Sequence, residues 1–227
     1  MPTSRHERAF RRAGYRAIAG LDEAGRGALF GPVFAAAVIL DPEKPIRGLD
    51  DSKQLEPERR EVLAQRIRER AQSWAVAAAD AFEIDHVNIL QASRLAMRRA
   101  VERLSSPCDF LLVDAVRVDL PLPQKALIHG DALCFSIAAA SILAKVARDA
   151  ALQAWDAVFP DYGFKDNKGY GTPDHLAALD RLGPTSLHRF SFEPVRKASR
   201  YQSWTGYPIP EPNPEPLRKQ RRLVACP

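Results

Sequence analysis

Four acids recur at one kind of place in this 227-residue chain. Asp22 and Glu23 end the apolar stretch YRAIAGLDE, Asp114 ends CDFLLVDA, and Asp131 follows KALIHG. Each carboxylate is thereby carried to the edge of a core, where sites gather in open α/β sheets. Held together they would repel: at an effective dielectric near 20, two unit charges 4 Å apart cost roughly 4 kcal/mol. Either some protonate or a cation offsets the charge. Oxygen ligands without His or Cys select Mg²⁺ or Mn²⁺ over zinc. Two such ions about 3.5–4 Å apart suit an in-line phosphoryl displacement, one activating water and the other stabilising the leaving oxygen. The residues alone leave a second reading open: an acid after a strand is often a turn former or helix cap. Asp131 would serve as an N-cap, and Asp50-Asp51-Ser52 looks like such a turn.

The elements that must position these acids alternate along the chain. YRAIAGLDE and PVFAAAVIL read as the first two strands and SWAVAAADA as a third. Pro57 to Gln72 is a charged amphipathic helix with Val62, Leu63 and Ile67 on its inner face. Asn88 to Leu104 is a second, with Leu95, Ala96 and Val101 inward. CDFLLVDA has the continuous apolar character of a buried central strand. KALIHGD is a short strand running into a long helix from about Leu133 to Phe159, and Thr172-Pro173 caps a last regular helix ending near Leu182-Gly183-Pro184. The pattern predicts an α/β domain, a mixed sheet between helices with a helical C-terminal appendage.

Composition bounds the function classes. The net charge is +5 and the pI near 9.3, which suits a polyanionic partner. Residues 5–16 hold five arginines against one glutamate, and 218–222 read RKQRR. The organisation expected is a basic arm over 1–14, a catalytic domain over 15–205 and an extended Pro-rich basic tail over 206–227. The three cysteines (Cys108, Cys134, Cys226) have no CxxC spacing, which argues against a disulfide framework or zinc ribbon and fits a cytoplasmic protein. No apolar run approaches the roughly 20 residues of a membrane span, and the N-terminus lacks the apolar stretch of a secretory signal.

LDEAGRGALFGPVFAAAVIL closely resembles the signature of the bacterial ribonuclease HII family, the type II ribonucleases H. The resemblance continues in order through LDDSKQL, ASRLAMRRAV, LLVDA, HGDALCFSIAAASILAKVARD, YGFKDNKGYGTPDHL and HRFSFEPV, covering roughly residues 15–197. It implies the ribonuclease H-like fold, a central five-stranded mixed sheet flanked by helices. It also implies endonucleolytic hydrolysis of RNA in RNA–DNA hybrids and at single ribonucleotides embedded in duplex DNA. The products would carry 5′-phosphate and 3′-hydroxyl ends, with a role in replication and repair.

By the same resemblance, Asp22, Glu23, Asp114 and Asp131 are the active-site acids and hold the metal ions. Gly25-Arg26-Gly27 senses the ribose 2′-hydroxyl, the group that separates RNA from DNA. Tyr170 stacks on the neighbouring deoxyribose. Ser141, Lys145 and Arg148 fall within an arc of about 60° on the long helix at 100° per residue. This polar stripe suits phosphates further down the duplex, as does Lys53. The protein is expected to act as a monomer. Three departures from the family pattern stand out: His129 for a usual lysine, Asn167 for a common histidine, and Ala115-Val116 where Gly-Asn is frequent. Two other readings keep part of the pattern. A DNA-cutting nuclease of the same fold would share the acids, and a non-catalytic binder would use only the basic ends.

Overall fold

The computed structural model describes residues 2–199; the Pro-rich stretch 206–227 lies outside them. One sheet holds β1 (Ile18–Ala24), β2 (Val33–Ile39), β3 (Ser73–Ala79), β4 (Phe110–Asp114) and β5 (Gln124–Leu127), in the order β3-β2-β1-β4-β5. β1, β2 and β3 pair antiparallel, whereas β1–β4 and β4–β5 are parallel. The sheet is therefore mixed, as the alternation predicted. Parallel pairing of β1 with β4 matters most, because it brings their carboxyl ends to one edge.

The described helices are α1 (Arg5–Arg12), α2 (Pro57–Arg70), α3 (Ala81–Val87), α4 (Ile89–Glu102), α5 (Gly130–Leu133), α6 (Phe135–Val158), α7 (Phe164–Asn167), α8 (Pro173–Leu182) and α9 (Glu193–Ala198). α4 covers one face of the sheet, burying Ala92, Ala96 and Met97 against Ala19, Leu21, Val33 and Val113. α2 and α6 cover the other, where Leu63 and Ile67 join Ala138, Ile142 and Leu143 over Ala36 and Val38. Burial on both faces explains why β2 reads as a continuous apolar run rather than an alternating one. Alanines on α6 let it approach closely. Opposite them, a Cβ at Gly20 would lie 2.2 Å from the Ser136 carbonyl carbon, so β1 meets α6 backbone to backbone.

Several boundaries differ from the sequence reading for identifiable reasons. Val62 is 43% exposed, and Ala64 takes the inward place beside Leu63 and Ile67. α3 went unread, although Asp80 and Glu83 form a reciprocal capping box at its start. β5 stops at Leu127, before His129-Gly130-Asp131, which turn into α5; extended Cys134 then separates α5 from α6. α8 is not the last helix: after Gly183, at φ +77°, the chain turns and forms α9. α8 and α9 pack with Phe30, Leu152 and Phe164 in a separate cluster.

The first residues, read as a basic arm, carry α1 docked on the domain. Its Phe10 stacks on Phe110 with ring centroids 4.0 Å apart. Thr3 N–H donates to Leu133 O, and Phe135 N–H donates to Thr3 O. Glu7 is 3% exposed, and its Oε1 accepts from Ser136 N–H at 2.8 Å. Since α6 has no side-chain cap of its own, Glu7 satisfies a donor that the helix start leaves open.

Candidate active site

The register pairs Leu21 with Val113 across the parallel strands, and the next residue on each is an acid, Asp22 and Asp114. Asp114 Oδ1 accepts from Gly130 N–H at 2.7 Å, which ties the end of β4 to the turn bearing Asp131. Asp22 and Asp131 are 5% and 6% exposed. Burial pushes the Asp22 carboxyl well above its ordinary range, and the charges of Glu23, Asp114 and Asp131 push the same way. Glu23 is raised by burial and by Asp114, against the pull of Arg26, whose Nη1 lies 3.6 Å from Oε1. Asp131 is raised by burial, then by Asp51 and Asp114. The four acids thus behave as one electrostatic group.

Such a group is costly in water-poor surroundings unless a cation joins it. Glu23 Oε2 is buried with no hydrogen-bond partner among the described residues, a spare hard-oxygen donor of the type Mg²⁺ and Mn²⁺ take. Among the described residues, no three His, Cys, Asp or Glu side chains are close enough to enclose an ion unaided. The donor set, all carboxylate oxygen, still fits a hard divalent ion.

The glycine loop adjoins the acids directly. Gly25 has φ +89°, and a Cβ there would fall 1.9 Å from Arg148 Nε, so neither conformation nor space admits a side chain. Gly27 is open to solvent, and a Cβ on it would sit 4.0 Å from the Tyr170 ring. Leu29 N–H donates to Gly169 O at 2.7 Å, clamping the loop to the Tyr170 turn. The structure therefore brings Gly25, Arg26, Gly27 and Tyr170 together beside the acids. Tyr170 is 39% exposed, with the Arg148 guanidinium 5.3 Å from its ring centroid, within cation–π range.

The polar stripe of α6 lies differently from a solvent-facing row. Ser141 is buried and shares a 2.8 Å hydrogen bond with Ser52, on the 3-10 turn Ser52–Gln54 that carries Lys53. Lys145 pairs with Asp149 at 2.7 Å, and Asp149 also faces Arg60. Arg148 is 1% exposed and donates to Lys168 O, leaving Nε and Nη2 with no partner among the described residues. Lys53 is the exposed member, its Nζ 3.9 Å from Asp131 Oδ2. Burial works against its charge, yet Asp51, Asp131, Asp22 and Asp114 together hold its pKa above the ordinary value.

The family model described as Ribonuclease HII matches residues 19–195. The chain belongs to the ribonuclease HII family. It is 65% identical over 195 residues to the ribonuclease HII of Solibacter usitatus (strain Ellin6076), covering 86% of each chain. It is 54% identical over 200 residues to that of Koribacter versatilis (strain Ellin345), covering 88% of this chain and 79% of the other. Among solved structures it is similar to the ribonuclease H2 from Pyrococcus horikoshii OT3, with a TM-score of 0.71 and 26% identity over 81% of this chain and 97% of that one. The ribonuclease H-like fold is thereby established, and with it the activity of a ribonuclease HII, endonucleolytic hydrolysis of RNA paired with DNA.

The departures from the ribonuclease HII pattern have physical readings. Asn167 donates to Tyr162 O at 2.6 Å and accepts from Gly169 N–H at 2.7 Å, holding the turn before Tyr170. Ala115 takes φ +51°, where glycine would be free of strain. His129 is exposed, in the left-handed region before Gly130. One residue with a clear part in the site escaped sequence reasoning. Arg189 is fully buried and donates through Nε to Gly31 O, through Nη1 to Arg26 O and through Nη2 to Gly25 O. Its guanidinium shapes the glycine loop from beneath. Its only signal in the sequence was a cation inside HRFSF, with no indication of its partners.

Proposed function

We propose that this ribonuclease HII cuts at single ribonucleotides in duplex DNA as well as in longer hybrids, using the acids as a divalent-metal site and the glycine loop with Tyr170 as the sugar-reading surface. The observation that carries this reading is the buried Asp22, electrostatically joined to Glu23, Asp114 and Asp131 at the end of two parallel strands. When bound there, two Mg²⁺ or Mn²⁺ ions would supply an activated water and charge neutralisation at the departing 3′-oxygen.

The chain's own residues do the rest. Asp22, Glu23, Asp114 and Asp131 supply the oxygen donors. Gly25 and Gly27 keep the sugar's approach clear of side chains, which a test for the 2′-hydroxyl requires. With its carbonyls taken by Arg189, the Gly25–Arg26 backbone is set before substrate arrives. Tyr170 offers a ring face to the next sugar. Lys53, exposed at the rim of the acids, meets a phosphate of the strand being cut. Arg148 backs the Tyr170 ring and keeps two unspent donors on the glycine side, while Ser141 and Lys145 act through Ser52 and Asp149.

The deciding experiment compares cleavage of a DNA duplex carrying one ribonucleotide with the same duplex lacking it, in Mg²⁺, in Mn²⁺ and in chelator. Cleavage of the first alone, abolished by chelator, is expected. Equal cutting of both duplexes would instead indicate a DNA nuclease of the same fold.

A further inference from the structure

Behind Tyr170 lie two histidines whose geometry fixes their protons. His175 Nε2 and His188 Nε2 are 3.1 Å apart, and both residues are fully buried. The outer backbone partners decide the tautomers; the Thr185 hydroxyl, 3.0 Å from His188 Nδ1, can donate or accept and turns to suit them. Thr185 N–H can only donate, and it lies 2.9 Å from His188 Nδ1. The Tyr170 carbonyl can only accept, and it lies 2.9 Å from His175 Nδ1. His188 Nδ1 is therefore bare and its proton sits on Nε2; His175 is bare at Nε2 and protonated at Nδ1. One proton arrangement satisfies every bond: Thr185 to His188, His188 to His175, His175 to Tyr170.

The surroundings keep both rings neutral. Phe30 and Tyr162 lie 5.0 and 5.3 Å from His188 by ring centroid, and Phe164 lies 5.4 Å from His175. Burial lowers both imidazoles, His188 to about 3. A relay of this kind transmits position rather than charge, because each ring can turn only by breaking a bond at both nitrogens. It starts in the turn at Thr185–His188, which pairs with Phe30, and it ends on the backbone of Tyr170. The residue after His188 is Arg189, which holds Gly25 and Arg26. Two consecutive residues of the appendage thus grip the two halves of the proposed sugar-reading notch.

We propose that His175 and His188 are positioning residues that set Tyr170 for the substrate through this fixed-tautomer relay. The proposal rests on the substrate contact assigned to Tyr170 above, and its test separates the two. In the full-length protein, ¹⁵N-detected imidazole spectra at neutral pH should show one buried histidine protonated at Nδ1 and one at Nε2. His175→Asn and His188→Gln would assign them. Steady-state kinetics on the one-ribonucleotide duplex supply the second readout. His175→Leu removes the donor to Tyr170 O and should raise KM about tenfold with kcat little changed, in the direction of Tyr170→Ala. His175→Asn, whose amide can replace the Nδ1 donor, should restore most of the loss.

Two results would overturn the relay: a His175 protonated at Nε2, or an unchanged KM in His175→Leu while Tyr170→Ala raises it. An unchanged KM in Tyr170→Ala would remove the contact itself, and the positioning role with it. The spectra decide the proton arrangement even if His175→Leu fails to fold.

Discussion

Arg189 Nη2 donates to the carbonyl oxygen of Gly25 at 2.8 Å, joining residues 164 positions apart. With Nε and Nη1 on Gly31 and Arg26, one planar fork satisfies three carbonyls. A lysine has a single ammonium and cannot reproduce that fork. Arg189→Lys should cost about 2–4 kcal/mol of stability, since at least one buried carbonyl is left unpaired beside a poorly placed charge. Urea unfolding would measure it. A midpoint equal to the parent's would show that the fork is dispensable.

Asp22→Asn separates catalysis from stability. Cleavage should vanish while hybrid binding survives, as measured by a gel or fluorescence titration. Without divalent cations the variant should also be the more stable protein at neutral pH. The sign follows from the raised pKa of Asp22, caused first by burial. The unfolded chain gives up this proton near the ordinary value and the folded chain only later, so the contribution is present at low pH and lost as pH rises through the folded pKa. An asparagine removes that loss. In a chain of this size each kcal/mol appears as roughly 2–4 °C in Tm. A lower Tm than the parent in chelator would contradict the electrostatic account.

The histidine relay carries the opposite pH dependence. His188, depressed by burial to about 3, stays neutral in the fold while the unfolded chain takes up a proton near 6.5. Between those values the unfolded state binds more protons, so this contribution is complete above pH 6.5 and is lost as pH falls toward 3. Urea midpoints of the parent should fall from pH 7 to pH 5, with a shallower fall in His188→Gln. Equal slopes would mean that other groups set the acid limb.

Ala115 offers a gain. Its φ of +51° costs an L-residue roughly 1–2 kcal/mol, and glycine would return part of that to chain entropy. Ala115→Gly should therefore stabilise by about 0.5–1 kcal/mol, with cleavage unchanged. Destabilisation in the same unfolding assay would indicate that the Ala115 methyl packs better than its backbone suggests.

What the sequence made legible follows the range of the interactions involved. Asp22 and Asp114 each end an apolar run, and their shared edge needed only the parallel pairing typical of strand–helix alternation. The arc of Ser141, Lys145 and Arg148 was real as periodicity, but an alanine-rich helix gives no sign of which arc meets water. Here the arc faces Ser52, Asp149 and Tyr170. Val62 failed for a similar reason: periodicity did not say which flank of α2 turns toward α6, and there it is Ala64 that is buried with Leu63 and Ile67. Arg189 and the His175–His188 pair lay beyond reach because their meaning resides in carbonyls and rings that only the folded chain brings near. α3 was readable all along, through the Asp80–Glu83 capping box.

The bond from Ser136 to Glu7 spans 129 positions, and this orders events during synthesis. α1 has no seat for its buried carboxylate until Ser136 has emerged. A nascent chain halted at residue 130 would contain the five described strands and still leave Glu7 and Thr3 without their partners. Seating α1 is therefore a late step for an early segment, and a bulky leader fused before Thr3 would act at the moment when the corner behind Asp131 closes.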